Sequence, residues 1–211
     1  SVGEGLLISA GTSQMSELGD FYTTMGEQQE ETDGEQIIDK SLEEKLQEAN
    51  QKETEAMLDN IAEKMEDDEL DNVIDVSIDP EGKYVELLIG GALLFDSGQA
   101  ELKEECLPIV SKLGDILKLY DDYLIEIIGH TDNVPFPTFD PDPYLANIKL
   151  SQMRALNVLR YIKSMPSYQR YTEAQKQMLE FWFTANGLSY GKALDKDGEY
   201  IFKSKKAIDE A

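Results

Sequence analysis

The chain has 211 residues, of which 41% are apolar, and a formal net charge of −24. That composition supports one packed core with an extension, or two small domains. The acidic balance excludes nucleic acid and anionic lipid as partners, because phosphate binding needs clustered Lys and Arg. No run of 18 apolar residues is present to span a membrane, and Cys106, the single cysteine, cannot form an internal disulfide.

In chain order, residues 1–35 mix Gly, Ser, Thr and acids and read as a flexible N-terminal segment. Glu27 to Glu69 holds 17 acidic against 4 basic residues, which sets a compositional boundary near residue 70. Within it, residues 36–70 read as an acidic linker helix. Ile38, Leu42, Leu46, Ala49, Ala56, Ile61 and Met65 fall on its apolar face. The spacing fits a spacer or dimer-contact helix and a surface helix packed on the domain equally well.

Residues 71–211 read as the folded domain. Ile74, Val76 and Ile78 alternate with polar residues, as a half-buried strand requires. Asp79-Pro80-Glu81-Gly82 is a turn, and Lys83 to Ile89 returns as the second strand of a hairpin. Leu102, Cys106, Ile109, Leu113, Leu117 and Tyr120 mark a helix whose regular bonding starts late, because Pro108 belongs in a first turn. Tyr123 to Ile128 predicts a strand. The prolines at 135, 137, 141 and 143 predict an extended loop. Ser151 to Ser164 predicts a helix capped by Ser151. Thr172 to Met178 suggests a short helix, Leu179 to Ala185 a strand, residues 186–191 a turn and Lys203 to Ala211 a last helix. The predicted class is an α/β (α+β) two-layer sandwich, a mixed sheet with helices on one face, preceded by the long acidic helix.

The residues with most chemistry are Gly129-His130-Thr131-Asp132-Asn133-Val134-Pro135 and Asn147-Ile148-Lys149-Leu150-Ser151-Gln152-Met153-Arg154-Ala155. An acid leaves the end of a strand, and a base enters the first turn of the predicted helix. If the chain folds back between them, Asp132 and Arg154 face one pocket and can grip the two charged ends of an amino acid. Arg holds a carboxylate through two parallel N–H bonds, which Lys cannot do. The alternative from spacing alone is a salt bridge that ties loop to helix. His130 adjoins this segment without the partners that a metal site or triad needs. Cys106 lies on an apolar helix face and reads as core. No catalytic residue, metal or cofactor is called for.

These blocks resemble the OmpA-like peptidoglycan-binding domain. GHTD, NxxLSxxRA and Leu94-Phe95-Asp96-Ser97-Gly98-Gln99-Ala100-Glu101-Leu102 stand in the family's order, and GHTDNVP is similar to the version carried by flagellar stator subunits of the MotB type. The family's closing strand, marked by Asn-Arg-Arg-Val-Glu, has no match before Ala211, so a truncated final strand is expected. The resemblance implies non-catalytic binding to the diamino acid of a peptidoglycan stem peptide. Asp132 and Arg154 would hold that group, Asn147 and Thr131 would shape the pocket, and Leu150 would form an apolar wall. It further implies a homodimer on the extracytoplasmic side, joined to a stator ion-channel subunit through an N-terminal membrane helix lying outside these residues. A non-flagellar wall anchor and a wall-acting hydrolase are the alternatives.

Overall fold

The structure is a computed structural model, and it describes residues 5–11, 35–79, 82–120, 123–131 and 142–189. Among the described residues five strands form one mixed sheet: β1 (Gly5–Gly11), β2 (Ile74–Ile78), β3 (Tyr84–Gly90), β4 (Leu124–His130) and β5 (Phe183–Ser189), in the order β2-β3-β1-β4-β5. The β2–β3 hairpin, the β3–β1 pair and the β1–β4 pair are antiparallel, whereas β4 and β5 run parallel. Alternation decides which face is buried. Leu6, Ile8, Val85, Leu87, Ile89, Ile125 and Ile127 are sealed in the core. Their neighbours Leu7, Ser9, Glu86, Leu88, Glu126 and Ile128 are only half-buried. One covered face and one partly open face agree with the predicted two-layer class.

The predicted flexible segment is corrected at its start. Gly5–Gly11 forms the central strand, paired along its whole length on both sides. The apolar part of GLLISAG is too short to separate a strand from a loop by pattern; it acquires its structure from neighbours far along the chain. The rest of the segment, residues 12–34, lies outside the described residues.

Helix α1 (Glu35–Asp67) occupies the predicted acidic stretch. Thr54, Met57, Ile61 and Met65 point into the fold, and the helix packs on β2 and β3. Ala49 and Ala56, assigned above to the apolar face, are exposed. The buried stripe is set by where the sheet lies, and the small alanines impose little preference of their own. The side chains of Ile38, Leu42 and Leu46 lie outside the described residues.

After β3, a single turn α2 (Gly91–Leu94) leads to Phe95 and the Asp96–Gln99 turn. A 3₁₀ turn, Glu104–Cys106, precedes α3 (Leu107–Leu117), so Pro108 does sit in the first turn of the regular helix. Cys106 is fully buried, with its Sγ 3.0 Å from the Lys103 carbonyl oxygen. The core reading of that residue holds.

Helix α4 (Pro143–Ser164) starts eight residues before the predicted helix. Asp142 caps it by accepting from the backbone N–H groups of Tyr144, at 2.9 Å, and Leu145, at 3.4 Å. Pro143, read as part of a proline loop, is the N1 proline of this helix. Ser151 is therefore not a cap. A short turn α5 (Pro166–Gln169) follows, then α6 (Glu173–Trp182), opened by a reciprocal Thr172–Gln175 capping box. That cap carries the helix through Trp182, so the strand predicted at Leu179–Ala185 and the turn predicted after it give way to β5 at Phe183–Ser189. The predicted helix at Lys203–Ala211 lies outside the described residues.

Candidate functional site

The site is built where α4 crosses the carboxyl ends of the parallel pair β4 and β5. Two glycines allow that crossing. A Cβ on Gly129 would overlap the Ser151 carbonyl oxygen, and one on Gly187 would overlap the Gln152 backbone and lie 2.6 Å from Ser151 Oγ. Ser151 thus lies at the point of closest approach between helix and sheet. Its hydroxyl donates to the Ile148 carbonyl at 2.9 Å and accepts from the Ser189 N–H at 3.1 Å. Gln152 Nε2 donates to the Ala185 carbonyl at 2.8 Å, which fixes the helix along β5.

Asn147, Leu150 and Arg154 recur at i, i+3 and i+7, on the face of α4 turned toward the fold. All three are buried. Thr131 follows β4 directly, is also buried, and donates its N–H to the Ser189 carbonyl at 3.3 Å. Its hydroxyl has no hydrogen-bond partner among the described residues. Of the five site residues expected from sequence, Thr131 follows the end of β4 and Asn147, Leu150 and Arg154 share one face of α4. The fifth, Asp132, lies outside the described residues.

The setting of Arg154 differs from expectation. It is the twelfth residue of α4, well past the first turn, so the helix N-terminus adds nothing to an anion at this position. Its side chain is 1% exposed. Nε donates to the Gln99 carbonyl at 2.8 Å and Nη2 to the Asp96 carbonyl at 3.3 Å. The guanidinium carbon also stands 5.0 Å from the centre of the Phe95 ring, within cation–π range. One turn on, Asn157 Nδ2 donates to the Ala100 carbonyl at 2.7 Å. The Phe95–Ala100 segment is thus strapped to α4 through its backbone. Sequence reading missed this role because carbonyl acceptors carry no side-chain signature. The FDSGQA block was visible, but its function as a clamp on Arg154 was not.

His130 ends β4, opposite Gly5 on one side and Ser189 on the other. Burial holds its imidazole pKa below the usual 6.5, and a hydrogen bond with the Ser189 backbone offsets part of that. Ser189 itself is fully buried with φ of +53°, an uncommon conformation for a residue with a side chain. Among the described residues no group of three His, Cys, Asp or Glu converges as a metal site would require. A separate cavity of about 210 Å³ lies toward the other end of α4, lined by Leu159, Lys163, Tyr168, Leu179, Glu180 and Phe183. None of the sequence-predicted site residues lines it.

Residues 94–175 of the chain match the OmpA family. Over 118 residues, 56% of this chain, it is 28% identical to Motility protein B of Bacillus subtilis (strain 168). The alignment spans 43% of that relative's length. In fold the chain is similar to the crystal structure of a MotB like protein from Desulfovibrio vulgaris. The TM-score is 0.56 at 22% identity, covering 77% of this chain and 88% of that one. Among the described residues no helix is long and apolar enough to cross a membrane.

Proposed function

We propose that this domain is a non-catalytic anchor that binds cell-wall peptidoglycan through the diamino acid of the stem peptide. The observation that supports the reading is the burial of Asn147, Leu150 and Arg154 on one face of α4, with the buried Thr131 at the carboxyl end of β4, immediately before Asp132 in the chain. Asp132 takes the ligand ammonium and Arg154 its carboxylate. Thr131 and Asn147 add hydrogen bonds, and Leu150 covers the apolar part of the side chain. A zwitterionic group suits a chain of net charge −24, because its ammonium offsets the repulsion that its carboxylate meets.

A guanidinium has five N–H donors, so an end-on grip on a carboxylate through Nη1 and the second N–H of Nη2 is compatible with the bonds to the Gln99 and Asp96 carbonyls. In the whole protein, the domain tethers a MotB-like stator to the wall. It works as a homodimer on the extracytoplasmic side, joined to a channel-forming partner by a membrane helix outside this sequence.

The test is co-sedimentation with purified peptidoglycan sacculi, with thermal melts run in parallel. Asp132→Ala is expected to abolish pelleting at an unchanged melting temperature. Arg154→Lys keeps the charge but loses the planar fork, and is expected to weaken pelleting strongly. Failure of the wild-type chain to pellet, or pelleting by both variants at wild-type levels, sinks the reading. Release of soluble muropeptides would instead mark a hydrolase.

A further inference from the structure

The segment that grips Arg154 is held in two different ways. Its base is built into the fold. Phe95 is buried and bridges to Leu102, and Lys103 donates from its backbone N–H to the Leu94 carbonyl at 3.0 Å and from Nζ to the Ala92 carbonyl at 2.9 Å. Its tip is not: Asp96, Ser97 and Gln99 are exposed, so burial does not fix them. The tip is a turn closed by the Gln99 N–H on the Asp96 carbonyl at 3.0 Å, with Gly98 at a φ of +69°. A turn fixes its own shape but not its place, which is left to bonds with α4.

The carbonyls of Asp96, Gln99 and Ala100 all accept from that helix. The first two take Arg154, and the third takes Asn157 Nδ2 at 2.7 Å. Residues 154 and 157 stand at i and i+3, one above the other on α4. Asn157 is engaged at its other end as well, where Arg160 Nη1 donates to its Oδ1. A guanidinium has no acceptor, so this contact decides which end of the amide is oxygen and turns the Nδ2 donor to Ala100.

The consequence falls on Arg154. Its Nε lies opposite the Nη1–Nη2 edge, so the bond from Nε to the Gln99 carbonyl sets the plane in which that edge is presented. Gln99 and Ala100 are neighbours in the chain. The hold of Asn157 on Ala100 therefore limits movement of the acceptor that Arg154 depends on. With that hold released the guanidinium gains freedom, which a ligand carboxylate has to remove again on binding.

We infer that Asn157 is a positioning residue for the ligand site: through the Ala100 carbonyl it keeps the Asp96–Gln99 turn in place and so orients the Arg154 guanidinium for a carboxylate. The inference rests on the reading of Arg154 as a ligand contact, and two independent readouts keep them apart. In the ¹⁵N-labelled full chain the Nε–H resonance of Arg154, identified by its absence in Arg154→Lys, reports the guanidinium without any ligand. Asn157→Ala is expected to speed exchange of that proton with solvent by on the order of tenfold. In pelleting titrations with sacculi, the same variant is expected to bind about three- to tenfold more weakly, the cost of immobilising one side chain. On an Arg154→Lys background, titrated far enough to saturate, Asn157→Ala should weaken binding by less than about twofold, because the group it orients is gone.

Unchanged Nε–H exchange in Asn157→Ala overturns the inference even if binding falls. Unaltered pelleting also overturns it, as does an equal loss of binding on both backgrounds, the mark of a merely structural role. Asn157→Asp keeps the size of the side chain and the Arg160 contact but cannot donate to Ala100. It should behave as Asn157→Ala does, and wild-type behaviour in both readouts would sink the proposal. If the wild-type chain fails to pellet while Nε–H exchange responds to Asn157→Ala, the wall-binding reading falls and the positioning of Arg154 by Asn157 stands.

Discussion

At Arg154, one side chain serves two demands that pull apart. As a strut it satisfies the Gln99 and Asp96 carbonyls, so Arg154→Ala leaves both without that donor. Asp96 and Gln99 are exposed residues, so the expected loss is about 0.5–1.5 kcal/mol for each hydrogen bond removed, read from the urea midpoint. A pure ligand contact would leave stability unmoved. His130 gives a second residue-scale prediction with a definite sign. Its folded-state pKa is depressed, so the unfolded chain binds a proton first on acidification. Its contribution is fully present above about pH 6.5, the unfolded value, and is lost as pH falls through the folded value. Unfolding titrations of wild type and His130→Gln should show a difference in stability that varies with pH below 6.5 and is constant above it. A difference independent of pH would contradict the assignment. Gly129→Ala should cost on the order of 3 kcal/mol, because the clash is with the Ser151 backbone, which cannot rotate away. Thermal melts of that variant check it.

At the scale of elements, legibility tracked how local the determining interaction was. The β2–β3 hairpin and α3 were readable because turn chemistry and a helical stripe are written in neighbouring residues. The start of α4 was misplaced by eight residues because Pro143 serves equally as loop and as N1 proline, and only Asp142 beside it decides between them. β1 was missed because its partners lie more than 70 residues away. Motif order singles out Thr131, Asn147, Leu150 and Arg154 as candidates, whereas the backbone carbonyls that grip Arg154 leave no trace in the sequence. Helix α1 was legible as a helix but not in its packing. Its buried stripe makes it part of the domain core for at least its second half. Ile61→Ala should therefore cost about 2–5 kcal/mol in chemical denaturation, a loss that a detached linker helix would not show.

Over the whole molecule, the acidic surface sets how the protein meets its surroundings. The ion pairs resolved among the described residues are all at the surface: Lys103 with Asp96 and Glu105, Lys163 with Glu180, and Lys176 with Glu173. Exposed pairs of this kind contribute roughly 0–1 kcal/mol each, so screening them removes little. The repulsion among the uncompensated carboxylates, by contrast, acts throughout a chain of net charge −24 and is relieved by salt. One carboxylate feels the fold directly. Burial, with Asp79 nearby, raises the Glu86 pKa, so its ionised form opposes folding at neutral pH. Salt leaves the desolvation of Glu86 unchanged but screens its repulsion from Asp79 along with the rest, so raising NaCl from about 0.02 to about 0.5 M, which shortens the screening length several-fold, should increase the urea midpoint at pH 7. The same increase should shrink near pH 4, where many carboxylates are protonated and the net charge is smaller. A midpoint that falls with salt at pH 7 would mean that attractive surface pairs outweigh the repulsion, contrary to what their exposure implies.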